Sequence, residues 1–332
     1  MSDSDPIVHL RSGDADLQRH LQRMCALGGW RLRTHPPGAA VPEGAAVVDD
    51  ADAPANRAHP APGSLAVAAT PRPGVLGVAT DAHEILEALG ERHAPPPGRV
   101  VAVAGVRGGL GATALAAAVA YEAQAVGQLV ALVDLDPVGG GVELLLGLAH
   151  DPGPRWADLA DDHGAFVPQR LRHALPSWQG VSVLSGDGRG GVDVDEPLIR
   201  LVIGALARAC DVVVVDVPRH GLAPSALAGL GVAEDLLLLV GSDMRSAIAA
   251  EAALEALRAH GRSARLVGRV GRNPAMAVDD IAAALSLPLL ATVRNDRGFD
   301  AALAHGVCPV GLGRGSLTMT ARRIATALRL AE

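Results

Sequence analysis

The sequence predicts an α/β protein, a doubly wound and mostly parallel sheet of about seven strands with a smaller α/β unit ahead of it. Three observations predict it. Short apolar runs recur at 100–104, 129–133, 212–215 and 236–240, and they are the length of strands buried on both faces. Stretches of helical composition, such as the Ala-rich 114–124, lie between them. Two of the runs end in aspartate and one in a glycine-rich turn, and the carboxyl edge of an open parallel sheet is where ligand-binding groups collect.

Composition bounds the possibilities. The chain has 332 residues, room for two domains, one of them with a sizeable core. It contains no lysine, and its formal net charge is −7. That balance argues against a general binder of nucleic acid or anionic membrane, so no DNA partner is expected. Cys25, Cys210 and Cys308 are few and far apart, which excludes C-x-x-C metal or redox sites and fits a reducing compartment. No leader-like segment opens the chain and no long apolar run follows, so the expected place is the cytoplasm, without a stable membrane anchor.

The central element is the strand 100–104 and the run that follows, Gly105-Val-Arg-Gly-Gly-Leu-Gly-Ala-Thr113. Strand, glycine loop and helix N-terminus together form a phosphate cradle, because glycines let backbone N–H groups face one centre. The run reads as a P-loop, G-x-x-x-x-G-K-[ST], entered at Gly105 with Gly111 as its second fixed glycine. Where the phosphate-binding lysine belongs there is Ala112. Arginine replaces lysine throughout this chain, yet Arg was not used at 112.

On these residues the chain resembles the MinD/ParA ATPases, whose deviant Walker A motif is K-G-G-x-G-K-[ST]. Here it reads Arg107-Gly108-Gly109-Leu110-Gly111-Ala112-Thr113, so both lysines are gone. Within that superfamily it looks most like the CpaE-like, septum-site-determining branch of actinobacteria, over about residues 98–332. Four further stretches carry the likeness: Asp134-Leu-Asp-Pro137, the continuation 138–147, Asp151-Pro-Gly-Pro-Arg-Trp-Ala-Asp-Leu159, and Asp216-Val-Pro-Arg219. The resemblance implies ATP and Mg²⁺ as ligands, weakly held. Arg107, Gly108, Gly109, Gly111, Ala112, Thr113 and Asp134 would line the nucleotide. Asp136 would orient the attacking water, and Asp134 would also support the loop and the Mg²⁺ shell. Asp216 would act as a Walker B carboxylate, with Thr113 as hydroxyl ligand of Mg²⁺. Asn273 or Arg272 could contact the base, although Asn273-Pro274 reads equally as a turn.

Residues 1–92 are expected to form a separate small domain, with strands at 7–10, 30–34, 45–48 and 64–69 and helices at 14–27 and 81–90. In position it resembles the receiver-like domain of CpaE-like proteins. Asp49 and Asp50 follow the third strand, but Arg11-Ser12-Gly13 stands where a receiver needs acids, and no lysine is available. The expectation is a degenerate docking domain with Asp49 and Asp50 on a solvated loop. Residues 93–98, His-Ala-Pro-Pro-Pro-Gly, make a stiff linker, and 99–332 form the P-loop domain.

Downstream, Trp156 is expected to pack an insertion onto the sheet, with 160–180 a helical excursion and 185–191 a loop. Strands are expected at 181–184, 266–270 and 289–293, and helices at 245–260, 280–285 and 298–305. The last helix places Leu317, Ala321, Ile324, Ala325 and Leu328 on one face and Arg322, Arg323 and Arg329 off it. Without aromatic or bulky apolar excess, that face suits core docking better than a membrane.

Three functions are then open. One is a nucleotide-responsive positioning regulator, a homodimer over ATP that acts with division-site proteins at septum or pole, or with a pilus or secretion system. A second is an enzyme on the same fold. Reductases of this fold need bridging cysteines, and tyrosine kinases a C-terminal Tyr cluster, whereas Tyr121 is the only Tyr. The third is a scaffold that has lost nucleotide. Any ATPase activity would be weak for want of the lysine.

Overall fold

The computed structural model describes residues 7–28, 30–93, 97–136, 141–160, 166–187, 194–218, 233–304, 308–311 and 315–330. The chain divides into two compact units, Met1–Pro95 and Pro96–Glu332. Pro137, the stretch 138–140, most of the glycine run 185–191, Arg219 and the prolines at 95 and 96 fall at least partly outside the described residues.

In the first unit, β1 (Ile7–Arg11), β2 (Arg31–His35), β3 (Ala46–Asp50), β4 (Leu65–Ala68) and β5 (Leu76–Gly77) pair in parallel in the order β2-β1-β3-β4-β5. This is the flavodoxin-like doubly wound order. Helix α1 (Ala15–Gly28) connects β1 to β2, α2 (Pro54–Ala58) connects β3 to β4, and α3 (Ala82–His93) follows β5. The Asp14 carboxylate opens α1 by accepting from the amides of Asp16 and Leu17, the preferred chemistry for a helix start. Leu17, Leu21, Met24 and Cys25 then fall on one face and are buried, as the helical period requires. They pack with Val8, Leu10, Val48, Val67, Ile85 and Leu89.

Asp49 and Asp50 are not on a solvated loop. Both close β3 and are about 95% buried. Arg11 at the end of β1 donates Nε to Asp49 Oδ1 at 2.6 Å and Nη2 to Oδ2 at 2.7 Å. The Ala61 amide and the Ser64 hydroxyl also donate to Asp49 Oδ2, and Ser12 donates to Asp50 at 2.7 Å. Burial pushes the Asp49 carboxyl up, but the hydrogen bonds from Arg11, Ala61 and Ser64 outweigh it and leave its pKa below the usual value.

The second unit is built on β6 (Arg99–Gly105), α4 (Ala112–Ala125), β7 (Val130–Asp134), α5 (Val142–Leu146), α6 (Trp156–Ala160), α7 (Pro168–Ala174), β8 (Ser177–Trp178) and β9 (Val181–Leu184). It continues with α8 (Glu196–Ala207), β10 (Val212–Val217), β11 (Asp235–Gly241), α9 (Met244–Ala259), β12 (Arg265–Val270), α10 (Val278–Ala284), β13 (Leu289–Arg294), α11 (Arg297–Ala304) and α12 (Ser316–Ala327). The sheet order is β13-β12-β11-β6-β10-β7-β9-β8. Seven of these strands are parallel, and the two-residue β8 adds an antiparallel edge. The all-valine and all-leucine runs of β10 and β11 are buried along their whole length, the signature of central parallel strands.

Helix α4 is buried almost all round, from Ala114 to Ala120, because it lies between the sheet and α12. Its alanines allow that close approach. On α12, Leu317, Ala321, Ile324, Ala325 and Leu328 are buried while Arg322, Arg323 and Arg329 are exposed. Arg322 Nε meets the buried Glu122 of α4 at 2.9 Å, and Thr320 donates to the Thr292 carbonyl at 2.9 Å. The apolar face of α12 is therefore used against this unit's own core. Among the described residues, no helix is long and apolar enough to cross a membrane.

Candidate functional site

The strand-to-helix turn after β6 is shaped by its glycines. Gly109 and Gly111 have φ of 79° and 89°, the left-handed region that glycine enters without steric cost. Gly111 is the N-cap of α4 and offers no side-chain cap, so the first-turn amides are left for another acceptor. Five residues separate Gly105 from Gly111, so the first glycine of the general P-loop pattern falls on Val106. The run that fits a phosphate loop is 107–113, not one entered at Gly105.

This loop is one wall of a cavity of about 360 Å³, lined also by Thr113, Asp134, Asp136, Gly141, Asp216 and Pro218. Parallel pairing brings the acids together, because Asp216 of β10 and Asp134 of β7 are register partners. Both are nearly fully buried, at 5% and 2% exposure. Burial pushes the Asp216 carboxyl up to about 7; Asp134 and Asp136 add to the rise, and a hydrogen bond from Thr113 opposes it. Burial likewise pushes Asp134 up to about 6, against hydrogen bonds from the Val142 and Asp136 amides.

The two carboxylates do different work. Asp134 spends its oxygens on backbone: Oδ1 accepts from the Asp136 amide at 2.9 Å and Oδ2 from the Val142 amide at 3.0 Å. It organises the loop that presents Asp136. Gly141 lies so close that a Cβ there would stand 2.6 Å from Asp134 Oδ2. Trp156, fully buried, donates its indole N–H to the Asp134 carbonyl at 2.6 Å. Beside it, buried Arg155 pairs with Glu143 at 2.8 Å and donates to the carbonyls of Leu148, Asp151 and Gly153. Asp216, by contrast, is hydrogen-bonded to Thr113 and lines the cavity, so hydroxyl and carboxylate oxygens sit side by side.

Arg107 lines the cavity rim, but its guanidinium is engaged elsewhere. Nε donates to Ser246 Oγ at 2.7 Å and Nη2 to Asp243 Oδ2 at 2.5 Å. Asn273 does not line the loop cavity. It is exposed, in a neighbouring cavity of about 220 Å³ with Ser242, Asp243, Arg269, Gly271 and Asn295, which shares Arg107, Gly109 and Leu110 with the first. The sequence reading missed Asp243 and Ser246, and no short motif marks them.

Residues 99–167 match the family model for the cellulose biosynthesis protein BcsQ. Two uncharacterized proteins of Mycobacterium tuberculosis, from strains H37Rv and CDC 1551, are 37% identical over 227 residues. That match takes in 68% of this chain and 63% of the relatives' length.

Among solved structures, a ParA family ATPase from Chlorobium tepidum aligns with TM-score 0.59 and 17% identity, over 70% of this chain and 99% of that one. The Aquifex aeolicus MinC:MinD cell division protein complex aligns at 0.56 and 18%, over 70% and 95%. The septum site-determining protein MinD of Pyrococcus horikoshii, complexed with Mg-ADP, aligns at 0.57 and 18%, over 69% and 95%. Over about 70% of its length the chain thus shares the fold of these ParA and MinD structures.

Proposed function

We propose that residues 96–332 act as a nucleotide-responsive positioning regulator of the MinD type, with a weakened site for ATP and Mg²⁺. The observation that carries this reading is the cavity at the end of β6, where Gly108, Gly109, Gly111, Thr113, Asp134, Asp136 and Asp216 converge and only the cation at 112 is missing. The donor set suits Mg²⁺, since the Thr113 hydroxyl and the Asp216 carboxylate are adjacent hard oxygens of the kind that ion takes. When bound, Mg²⁺ would neutralise phosphate charge. The chain's own contribution is the amide cradle, the Asp134-held loop, and Asp136 placed at the cavity to orient water. Losing one charge-assisted contact costs roughly 1.5–3 kcal/mol, or about 10- to 100-fold in affinity, which weakens a site without abolishing it.

The biological reading is septum-site determination, by a cytoplasmic homodimer over the nucleotide that gathers peripherally at the septum or pole. MinD of Aquifex aeolicus is found with MinC, and a division-site partner is the corresponding proposal here; a pilus or secretion partner is the alternative. Asn273, in the neighbouring cavity, would meet the base. Residues 1–92 would be a degenerate receiver-like docking domain, since the oxygens of Asp49 are already taken by Arg11, Ala61 and Ser64.

Calorimetry of ATP and ADP with Mg²⁺ tests this. Wild type should bind weakly, Ala112→Lys should bind roughly 10- to 100-fold more tightly and hydrolyse faster, and Asp136→Ala should bind without hydrolysis. A scaffold reading is favoured by Ala112 itself. It wins if neither wild type nor Ala112→Lys binds nucleotide.

A further inference from the structure

The only cationic side chain of the 107–113 loop is Arg107, and its charge is held by α9. Its guanidinium bridges Asp243 Oδ2 and Ser246 Oγ, at 2.5 and 2.7 Å. Those two residues are themselves fixed, because Asp243 is the N-cap of α9 and accepts from the Ser246 amide at 3.0 Å and the Ser246 hydroxyl at 3.0 Å. Burial pushes the Asp243 carboxyl up, but the Ser246 amide, Arg107 and the Ser246 hydroxyl together hold its pKa below the usual value, so it remains an anion at neutral pH. The arrangement is tightly built. A Cβ on Gly241 would stand 2.6 Å from Ser246 Oγ, 2.9 Å from Asp243 Oδ2 and 3.1 Å from the Leu110 side chain of the loop.

We propose that Asp243 and Ser246 are positioning residues that withhold Arg107 from the phosphate cradle, and that nucleotide phosphate competes with them for it. This rests on reading the loop cavity as a phosphate site. Arg107 borders both cavities, so the same side chain stands beside both Asp243 and the loop. The pair is partly exposed, at 42% and 34%, and ion pairs in that setting are weak. A phosphate offers the planar guanidinium a bidentate, charge-assisted alternative. With Ala112 unable to help, the state of this one arginine sets the affinity of the site and links its occupancy to the first turn of α9.

The test is titration of purified full-length protein with Mg·ATP, comparing wild type, Asp243→Asn, Asp243→Glu, Ser246→Ala and Ala112→Lys. Asn caps helices as well as Asp, so α9 keeps its start; Asp243→Ser is a second capping variant should Asn misfold. Asp243→Asn should tighten binding by about two- to fivefold, Ser246→Ala by less, and Asp243→Glu should restore the wild-type value. In an Arg107→Ala background, Asp243→Asn should change nothing, which a merely structural role for Asp243 would not produce. Tight binding by Asp243→Asn where wild type shows none also supports the latch. If Ala112→Lys binds nucleotide and Asp243→Asn is no tighter than wild type, the latch is wrong and the site stands. If none of these proteins binds nucleotide, the phosphate site and the latch fall together.

Discussion

Asp216 and Asp134 are neighbours across β10 and β7, and almost no water reaches either. An acid whose folded pKa is raised binds more protons folded than unfolded between the two values, so stability falls as pH rises through that window. For Asp216 the window runs from its ordinary 3.8 to about 7. Asp216→Asn should therefore match or exceed wild type in stability at pH 8, by an amount on the order of 2–4 kcal/mol, with the gap closing towards pH 4. Urea unfolding at pH 4.5, 6 and 8 measures it; a gap that widens on acidification would contradict the burial argument. At this scale the sequence was informative wherever residues are strung on one short motif. The glycine loop, Asp134, Asp136 and Asp216 sit at strand ends that apolar runs mark plainly. Asp243 and Ser246 were not legible, because their partner Arg107 lies 136 and 139 residues away, and nothing local distinguishes them from an ordinary helix cap. Asp49 and Asp50 misled in the other direction, since two adjacent acids look solvated until Arg11 closes on the first and Ser12 on the second.

At the end of β7 one carboxylate ties the neighbouring backbone together. Asp134 gathers two amides of the loop, Gly141 leaves room for its carboxylate, and the Trp156 indole ties down its carbonyl. Trp156→Phe keeps the ring volume close but leaves that buried carbonyl without its donor, a loss of about 1–3 kcal/mol. Faster hydrogen exchange should appear at the Asp136 and Val142 amides, ahead of any change in the distant β12 and β13. Uniform loosening of the whole sheet would instead mean that Trp156 acts only as core filler. Most elements here were readable from period and composition, β9 and the last helix among them. Helix α8 was overlooked although its start is marked by Asp195 capping the Leu198 amide, with proline in the first turn. Strands β5 and β8 are two residues each, and only their pairing partners define them.

Each of the two units has its own sheet, wholly parallel in the first and mostly so in the second, and its own buried cluster, Val8 to Leu89 in one and Val100 to Leu330 in the other. The first cluster is far the smaller, so the first unit has little stability to spare. Two cores with separate sheets give two cooperative transitions unless a large apolar interface couples them. Calorimetry of the full chain should accordingly resolve two transitions. Arg11→Ala strands the buried Asp49 with only its Ala61 and Ser64 partners, and breaking a buried pair from one side costs about 3–5 kcal/mol. That variant should lower or abolish the transition of the first unit and leave the other in place. Leu132→Ala, at a fully buried position of β7, removes about 2–5 kcal/mol from the second core and should shift only that transition. Mg·ATP should raise the second transition alone, by mass action on the folded site. A single transition that both substitutions move together would show that the units fold as one body, and residues 1–92 would then be part of the switch rather than a domain attached to it.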